Sequence, residues 1–371
     1  MSEQHWYTIN NVDKLDSPAL VTYPHRVKQN IEMLKYMIDD VFRLRPHVKT
    51  FKSMDVVQLM LDAGISKFKC ATIAEAEMLA MCGARDVLLA YQPVGPKLGR
   101  FMRLIISYPD TKFSCLVDDQ NIASSISASA IKNSVRINIY IDLNVGMNRT
   151  GIAPGHKALM LYMFCNSLPG INQIGLHAYD GHIHETDLAA RTAKCNAAFE
   201  PVSKLQQTIK ERGYPEPVII TGNTPTFAIH AKRPAVECSP GTFVYWDRGY
   251  QHSFPEEQFL SAALVMARVI SLPTDITICI DCGHKSIASE NELGKRIFFL
   301  NAPELKFISQ SEEHLVAEAG EGHRYKPGDV LYGIPWHICP TVALYERAVT
   351  IENNTITGEW KNIARDRKIN I

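Results

Sequence analysis

The sequence has little of anything that would take it outside the ordinary globular proteins. It has no excess of charge: Lys plus Arg and Asp plus Glu both number 39, so no electrostatic feature favours nucleic acid or an anionic membrane surface. No apolar run approaches the roughly 18 residues that a membrane span needs. The opening stretch, MSEQHWYTINNVDKLDSPAL, lacks a basic segment leading into an apolar one, so no secretion signal is expected. The nine cysteines are scattered singly, without the dense spacing of a disulfide framework. They read as reduced thiols of a cytoplasmic protein, most of them small buried hydrophobes. No low-complexity linker or long charge run divides the chain.

What is present is an alternation. At 371 residues the chain is long for one small core, which favours a large barrel with a second domain. Short apolar β-type runs recur at 44–48, 68–71, 87–90, 113–117, 138–142, 174–176, 218–221 and 236–238, with amphipathic stretches between them. Eight such runs are the number that closes a parallel (β/α)8 barrel. The stretch 73–82 opens with Thr72 three residues before Glu75, a capping box, and 189–211 carries apolar residues at helical spacing. After about Phe254 the texture changes to short β-type runs at 262–270, 276–280, 296–300, 329–332 and 343–351, separated by turn residues such as Asn353-Asn354. That pattern predicts a mostly antiparallel β domain. Residues 18–23 are strand-like too and precede the first helix, so they are candidates to join it. The expected division is a barrel over 25–254 and a β domain formed by 1–24 and 255–371.

Barrel chemistry sits at the C-terminal ends of the strands, which singles out five segments. The first run ends in Arg45-Pro46-His47-Val48-Lys49-Thr50. A lysine closing a buried strand is partly desolvated, so its amine is easier to neutralise and can form an imine; a solvated strand-end lysine is the plainer alternative. The seventh run leads into Thr221-Gly222-Asn223-Thr224, and the eighth into Ser239-Pro240-Gly241-Thr242. Hydroxyls and backbone N–H groups in such turns can cradle a phosphate, and barrels often hold phosphate after these two strands. The tract Gly175–His184 at the end of the sixth run holds His177, Tyr179, His182 and His184: a ring to pack on a cofactor and three candidate acid–base imidazoles. Arg149, after the fifth, could hold an anionic oxygen. Finally, His337 and Cys339 lie two apart in a β-type stretch, where they would face the same side. Imidazole with thiolate suits zinc, although an HxC pair by itself reads more readily as core packing.

Together these segments resemble the fold-type III pyridoxal-phosphate enzymes, specifically the D-threonine aldolase and D-serine dehydratase family. The resemblance runs from Ser17-Pro18-Ala19-Leu20 to Ala364-Arg365-Asp366-Arg367. It is carried by Arg45–Thr50, Phe68-Lys69-Cys70-Ala71-Thr72, Val145–Gly151, Ser311–His314 and His337-Ile338-Cys339-Pro340-Thr341. It implies that Lys49 bonds pyridoxal 5'-phosphate covalently and that Thr221–Thr224 with Gly241-Thr242 cradle its phosphate. By the same resemblance, Arg149 lies near the phenolic oxygen, Tyr179 lies near the pyridine nitrogen, and His337 and Cys339 hold a divalent metal, zinc or manganese. It further implies a homodimeric lyase of D-3-hydroxy-amino acids. Retro-aldol cleavage to glycine and an aldehyde is the leading reading and dehydration of D-serine or a related acid the rival; a racemase or a non-catalytic cofactor carrier is more distant. Phe51 and Trp336 stand where the family often has histidine and asparagine, and Asn223 replaces a glycine of the phosphate turn. These departures bear on the substrate more than on the cofactor.

Overall fold

The computed structural model describes residues 5–371, which divide into two compact units. One comprises 34–49, 57–241 and 366–371; the other takes 50–56 and 242–365 together with the described part of 1–33.

The first unit is built on seven parallel strands, in chain order around the sheet: Lys67–Cys70, Asp86–Leu89, Lys112–Val117, Ile137–Asp142, Ile171–Ala178, Val218–Thr221 and Val236–Cys238. The first run, 44–48, does not form the regular strand expected of it. It closes the ring through single bridges, Leu44 to Cys238 and His47 to Lys69. Pro46 explains the difference, because a residue without N–H cannot maintain a ladder. The bonds that do form alternate around it: Arg45 N to Cys238 O (2.8 Å), His47 N to Pro240 O (2.9 Å) and Lys69 N to Pro46 O (2.9 Å).

The interior of this ring is filled in layers. Near the strand starts Arg45, fully buried, donates to Glu237 at 2.7 Å and to Asp86 at 2.6 Å, and Lys67 also reaches Glu237. Each buried charge there is compensated by an opposite one. Leu88, Leu116, Tyr140 and Ile220 form an apolar layer. Polar side chains return at the C-terminal ends, where the cleft described below opens. Outside, the predicted capping box opens helix Ile73–Met81: Glu75 N donates to Thr72 Oγ1 at 3.0 Å, and the Glu75 carboxylate accepts from Ala71 N at 2.6 Å.

The second unit is a nine-stranded, largely antiparallel sheet. Its long central strand, Ala263–Thr274, pairs with Ala19–Thr22 and Val330–Pro335 through its buried first half and with Thr277–Ile280 through its exposed second half. The early segment therefore joins this sheet, as its strand-like character suggested. It also pairs in parallel with Arg347–Glu352. Asn353 and Asn354, both at positive φ (48° and 58°), turn that strand tightly into Thr355–Lys361. Strands Lys306–Gln310, Leu315–Glu318 and Thr355–Lys361 were not anticipated. The first and last are largely exposed, so they lack the apolar alternation that marks a half-buried strand. Among the described residues, no helix is long and apolar enough to cross a membrane.

Candidate active site

The cleft of the barrel unit is lined by His47, Lys49, Lys69, Asp142, Arg149, His177 and Tyr179 among others. The strand ends thus bring Lys49, Arg149 and Tyr179 to one place. Lys49 differs from expectation in its setting. It lies in a single helical turn, Val48–Thr50, rather than closing a strand, and it is exposed. The desolvated lysine is Lys69, 2% exposed, whose pKa falls to about 7 through burial first and the nearby Lys49 charge second. The alternation of Lys67–Cys70 between ring interior and exterior is the signal that could have found it.

Of the three candidate acid–base histidines, His177 is the one that lines this cleft. Its Nδ1 lies 2.8 Å from Asp142 Oδ1, and burial lowers its pKa more than the Asp142 bond raises it. The imidazole is therefore neutral at pH 7. A carboxylate partner assigns the proton to Nδ1 and leaves a lone pair on Nε2, a buried atom with no protein partner. The Arg149 guanidinium lies over Tyr179, 5.1 Å from the ring centroid, and the Lys69 ammonium is 5.4 Å from it. Gly181 permits this placement, since a Cβ there would come within 2.3 Å of the Tyr179 ring. His182 packs instead against Gly146, and His184 is exposed; neither lines the cleft.

The two expected phosphate turns meet each other. Gly241 N donates to Thr224 Oγ1 at 3.0 Å, and Ser239 N donates to Thr221 O at 3.1 Å. Gly222 takes φ +81°, a conformation that favours glycine. Asn223 is tied by its Nδ2 to Asp180 Oδ1 at 3.0 Å, while its own Oδ1 and the Ser239 hydroxyl are buried without protein partners. Asp180 also accepts from Thr226 (3.0 Å) and lies 2.9 Å from His230 Nε2, with Cys195 Sγ 3.1 Å from that nitrogen. Asp180, Cys195 and His230 are, by residue type and spacing, able to hold a metal ion. Their hydrogen bonds to the turn make them a brace for Asn223 and Thr226 in the structure as it stands.

The HxC pair belongs to the β unit, but it is not on a strand. Val330–Pro335 ends before it; His337 caps the short helix Ile338–Val342, and Cys339 lies in its first turn. The two side chains nonetheless hydrogen-bond each other. Helical winding and the cap conformation, rather than strand pleating, bring them together. His337 Nδ1 lies 2.5 Å from Glu290 Oε1. Burial works against its charge, but Cys339, Asp247 and Glu290 raise its pKa to about 9. Buried Asp247 accepts from Ile338 N at 3.1 Å, and burial lifts its pKa to about 6. Cys339 Sγ is 3.2 Å from Thr50 Oγ1 and 3.5 Å from Thr242 Oγ1.

These residues fit both groups that the resemblance implies. An imidazole and a thiol side by side, with a carboxylate orienting the ring, is a donor set for a divalent ion. A lysine in a polar barrel cleft, with two turns after the seventh and eighth strands that leave buried polar atoms unpartnered, suits a phosphorylated cofactor.

A parallel barrel with its lysine-bearing cleft at the strand ends, together with an antiparallel β domain, defines the alanine racemase-like class of proteins. The chain belongs to the family of the alanine racemase N-terminal domain, whose pattern it matches over residues 24–249, and a putative serine dehydratase domain is matched over 262–351. It is 26% identical over 363 residues to a D-threonine aldolase of Arthrobacter sp, covering 95% of this chain and 93% of the relative. It is 28% identical over 380 residues to a D-threo-3-hydroxyaspartate dehydratase of Delftia sp. (strain HT23), covering 94% and 97%. The solved D-threonine aldolase from Filomicrobium marinum shares the fold, with a TM-score of 0.88 at 23% identity over 98% of this chain and 99% of that one.

Proposed function

We propose that this protein is a lyase of D-3-hydroxy-amino acids that uses pyridoxal phosphate and a divalent metal, most directly in retro-aldol cleavage to glycine and an aldehyde. The observation that carries this reading is the cleft in which Lys49 stands beside the Asp142–His177 pair, Arg149 and Tyr179. The named activities of the full-length relatives support it.

Lys49 is assigned the amine that holds the cofactor. Thr221, Gly222, Asn223, Thr224, Gly241 and Thr242 are assigned its phosphate, Arg149 its phenolic oxygen, and Tyr179 its ring. Bound there, pyridoxal phosphate supplies a sink for the electron pair of the bond that breaks at the substrate's Cα. His337 and Cys339 are assigned the metal, which supplies Lewis acidity toward an alcohol oxygen.

The chain's own groups then have separate tasks. His177, neutral with its proton turned to Asp142, presents an acceptor to the cleft. His182, packed against Gly146 one residue before the cleft-lining Met147, is the candidate base for the β-hydroxyl proton. His184 is the alternative, exposed on the same tract. In balance, the hydroxyl proton leaves, the Cα–Cβ bond breaks with its electrons toward Cα, and a proton returns to Cα. Dehydration uses the same groups differently: the α-proton is taken and the β-hydroxyl departs. The Delftia dehydratase keeps that reading in play. The nine free cysteines accord with a reducing cytoplasm, and a homodimer loaded with zinc or manganese completes the proposal.

The test is a product assay on metal-loaded protein with D-threonine and D-serine. Glycine with an aldehyde, abolished by a chelator, is expected. A 2-oxo acid with ammonia would move the assignment to dehydration. Neither product, with full cofactor loading, would defeat the lyase reading.

A further inference from the structure

Lys69 is a buried cation with no ion-pair partner among the described residues. It is the third residue of its strand, 2% exposed, and its side chain lines the cleft. The other two cations inside the ring are paired: Arg45 with Asp86 and Glu237, and Lys67 with Glu237. Among the described residues, Lys69 makes no ion pair; the contact of its Nζ is the face of Tyr179. The acids that face it are engaged elsewhere. Asp142 is held by His177, and Asp180 by Asn223, Thr226 and His230. The remaining charges near it, Lys49 and Arg45, oppose it. A buried ammonium in that position is costly unless an anion joins it.

We propose that Lys69 determines specificity by binding the carboxylate of the amino-acid substrate, leaving Arg149 to the phenolic oxygen of the cofactor. The inference rests on the cofactor reading above and adds a residue and a ligand group to it. An oxyanion in the cleft could also come from the cofactor's phenolic oxygen. The carboxylate is favoured because Arg149, unpaired and lying over the same ring, is already available to that oxygen. Burial and the Lys49 charge lower the Lys69 pKa to about 7, so carboxylate binding weakens as pH rises through neutrality and the ammonium loses its proton. Lys49, Arg45, Asp142, Asp180 and the neutral His177 are the groups that face it and tune this loss.

The experiment titrates the cofactor-loaded protein with D-alanine and with D-alaninol, reading the shift of the visible cofactor band rather than turnover. Both ligands bring the amine; only the first brings a carboxylate. The wild type should prefer D-alanine by roughly 10- to 100-fold at pH 6.5, the range of a hydrogen bond to a charged group, and by less at pH 9. In Lys69→Met the preference should collapse toward unity at both pH values while the band persists. In Lys69→Arg it should hold at both. An unchanged preference in Lys69→Met overturns the proposal. So does a preference that stays while the pH dependence of the ligand-free band moves, which would assign Lys69 to the phenolic oxygen. Should Lys69→Met fail to retain cofactor, Lys69→Arg decides: a preference that still falls between pH 6.5 and 9 rejects Lys69 as the titrating group. A wild type without a visible band would defeat the cofactor reading itself, a failure distinct from a band with an unaltered preference.

Discussion

His177 Nδ1 and Asp142 Oδ1 stand 2.8 Å apart at the C-terminal ends of neighbouring strands, and both residues line the cleft. Strand pairing sets this relationship, since Asp142 and His177 are register partners. The carboxylate locks the ring's tautomer, and burial keeps the ring neutral. The cleft therefore holds a neutral imidazole rather than a further cation beside Lys49, Lys69 and Arg149.

Lys49→Ala should abolish the visible absorbance of the cofactor-loaded protein. If Lys49 holds the cofactor, no other amine should reproduce the band at the same position; Lys69, in the same cleft, is the internal control. A yellow protein with an unmoved band would show that the lysine has been misassigned. Absorbance after incubation with pyridoxal phosphate and dialysis is the measurement.

Cys339→Ala should leave the cofactor band in place and lower turnover by about 100-fold, the upper end of what losing a group that only orients a metal's ligands costs. Metal content, measured by atomic emission, should fall with it. Full activity in this variant would remove the metal from the reaction.

Glu237→Gln should destabilise the barrel, by up to about 3 kcal/mol, because it removes one of the two carboxylates that compensate fully buried Arg45 and leaves Asp86. Lys67→Met at the same cluster should cost less, since the Lys67 side chain is partly solvated (28% exposed). Urea unfolding of the cofactor-free protein compares the two; equal losses would show that Asp86 alone satisfies Arg45.

Stability of the cofactor-free protein should rise between pH 7 and 9. The folded state gives up the Lys69 proton near pH 7, whereas the unfolded chain keeps it to about pH 10.4. In that window the unfolded state binds more protons, so folding gains with pH, by at most about 1.4 kcal/mol per unit. Lys69→Met should lack this rise. Identical slopes for the two proteins would place the titration on another group.

Much of this protein was legible before any coordinates. Strand runs 218–221 and 236–238 match the observed elements residue for residue, and the Thr72–Glu75 box caps a helix as read. These succeed because apolar runs and caps are local, short-range signals. The same local motifs pointed to Lys49, Arg149, Tyr179 and the His337–Cys339 pair.

Other features depended on contacts between residues far apart in the chain. Pro46 reduced the first strand to two bridges, and the end of the strand at Pro335 put the HxC pair on a helical turn. Which lysine is desolvated was decided by the closing of the ring, which buries Lys69 and leaves Lys49 exposed. Burial is a property of what packs around a residue, and a sequence records only the residue. The sequence alone determined which side chains could carry the chemistry. Tertiary structure decided which of them share a cleft, which charges are paired, and which one is left waiting for a partner.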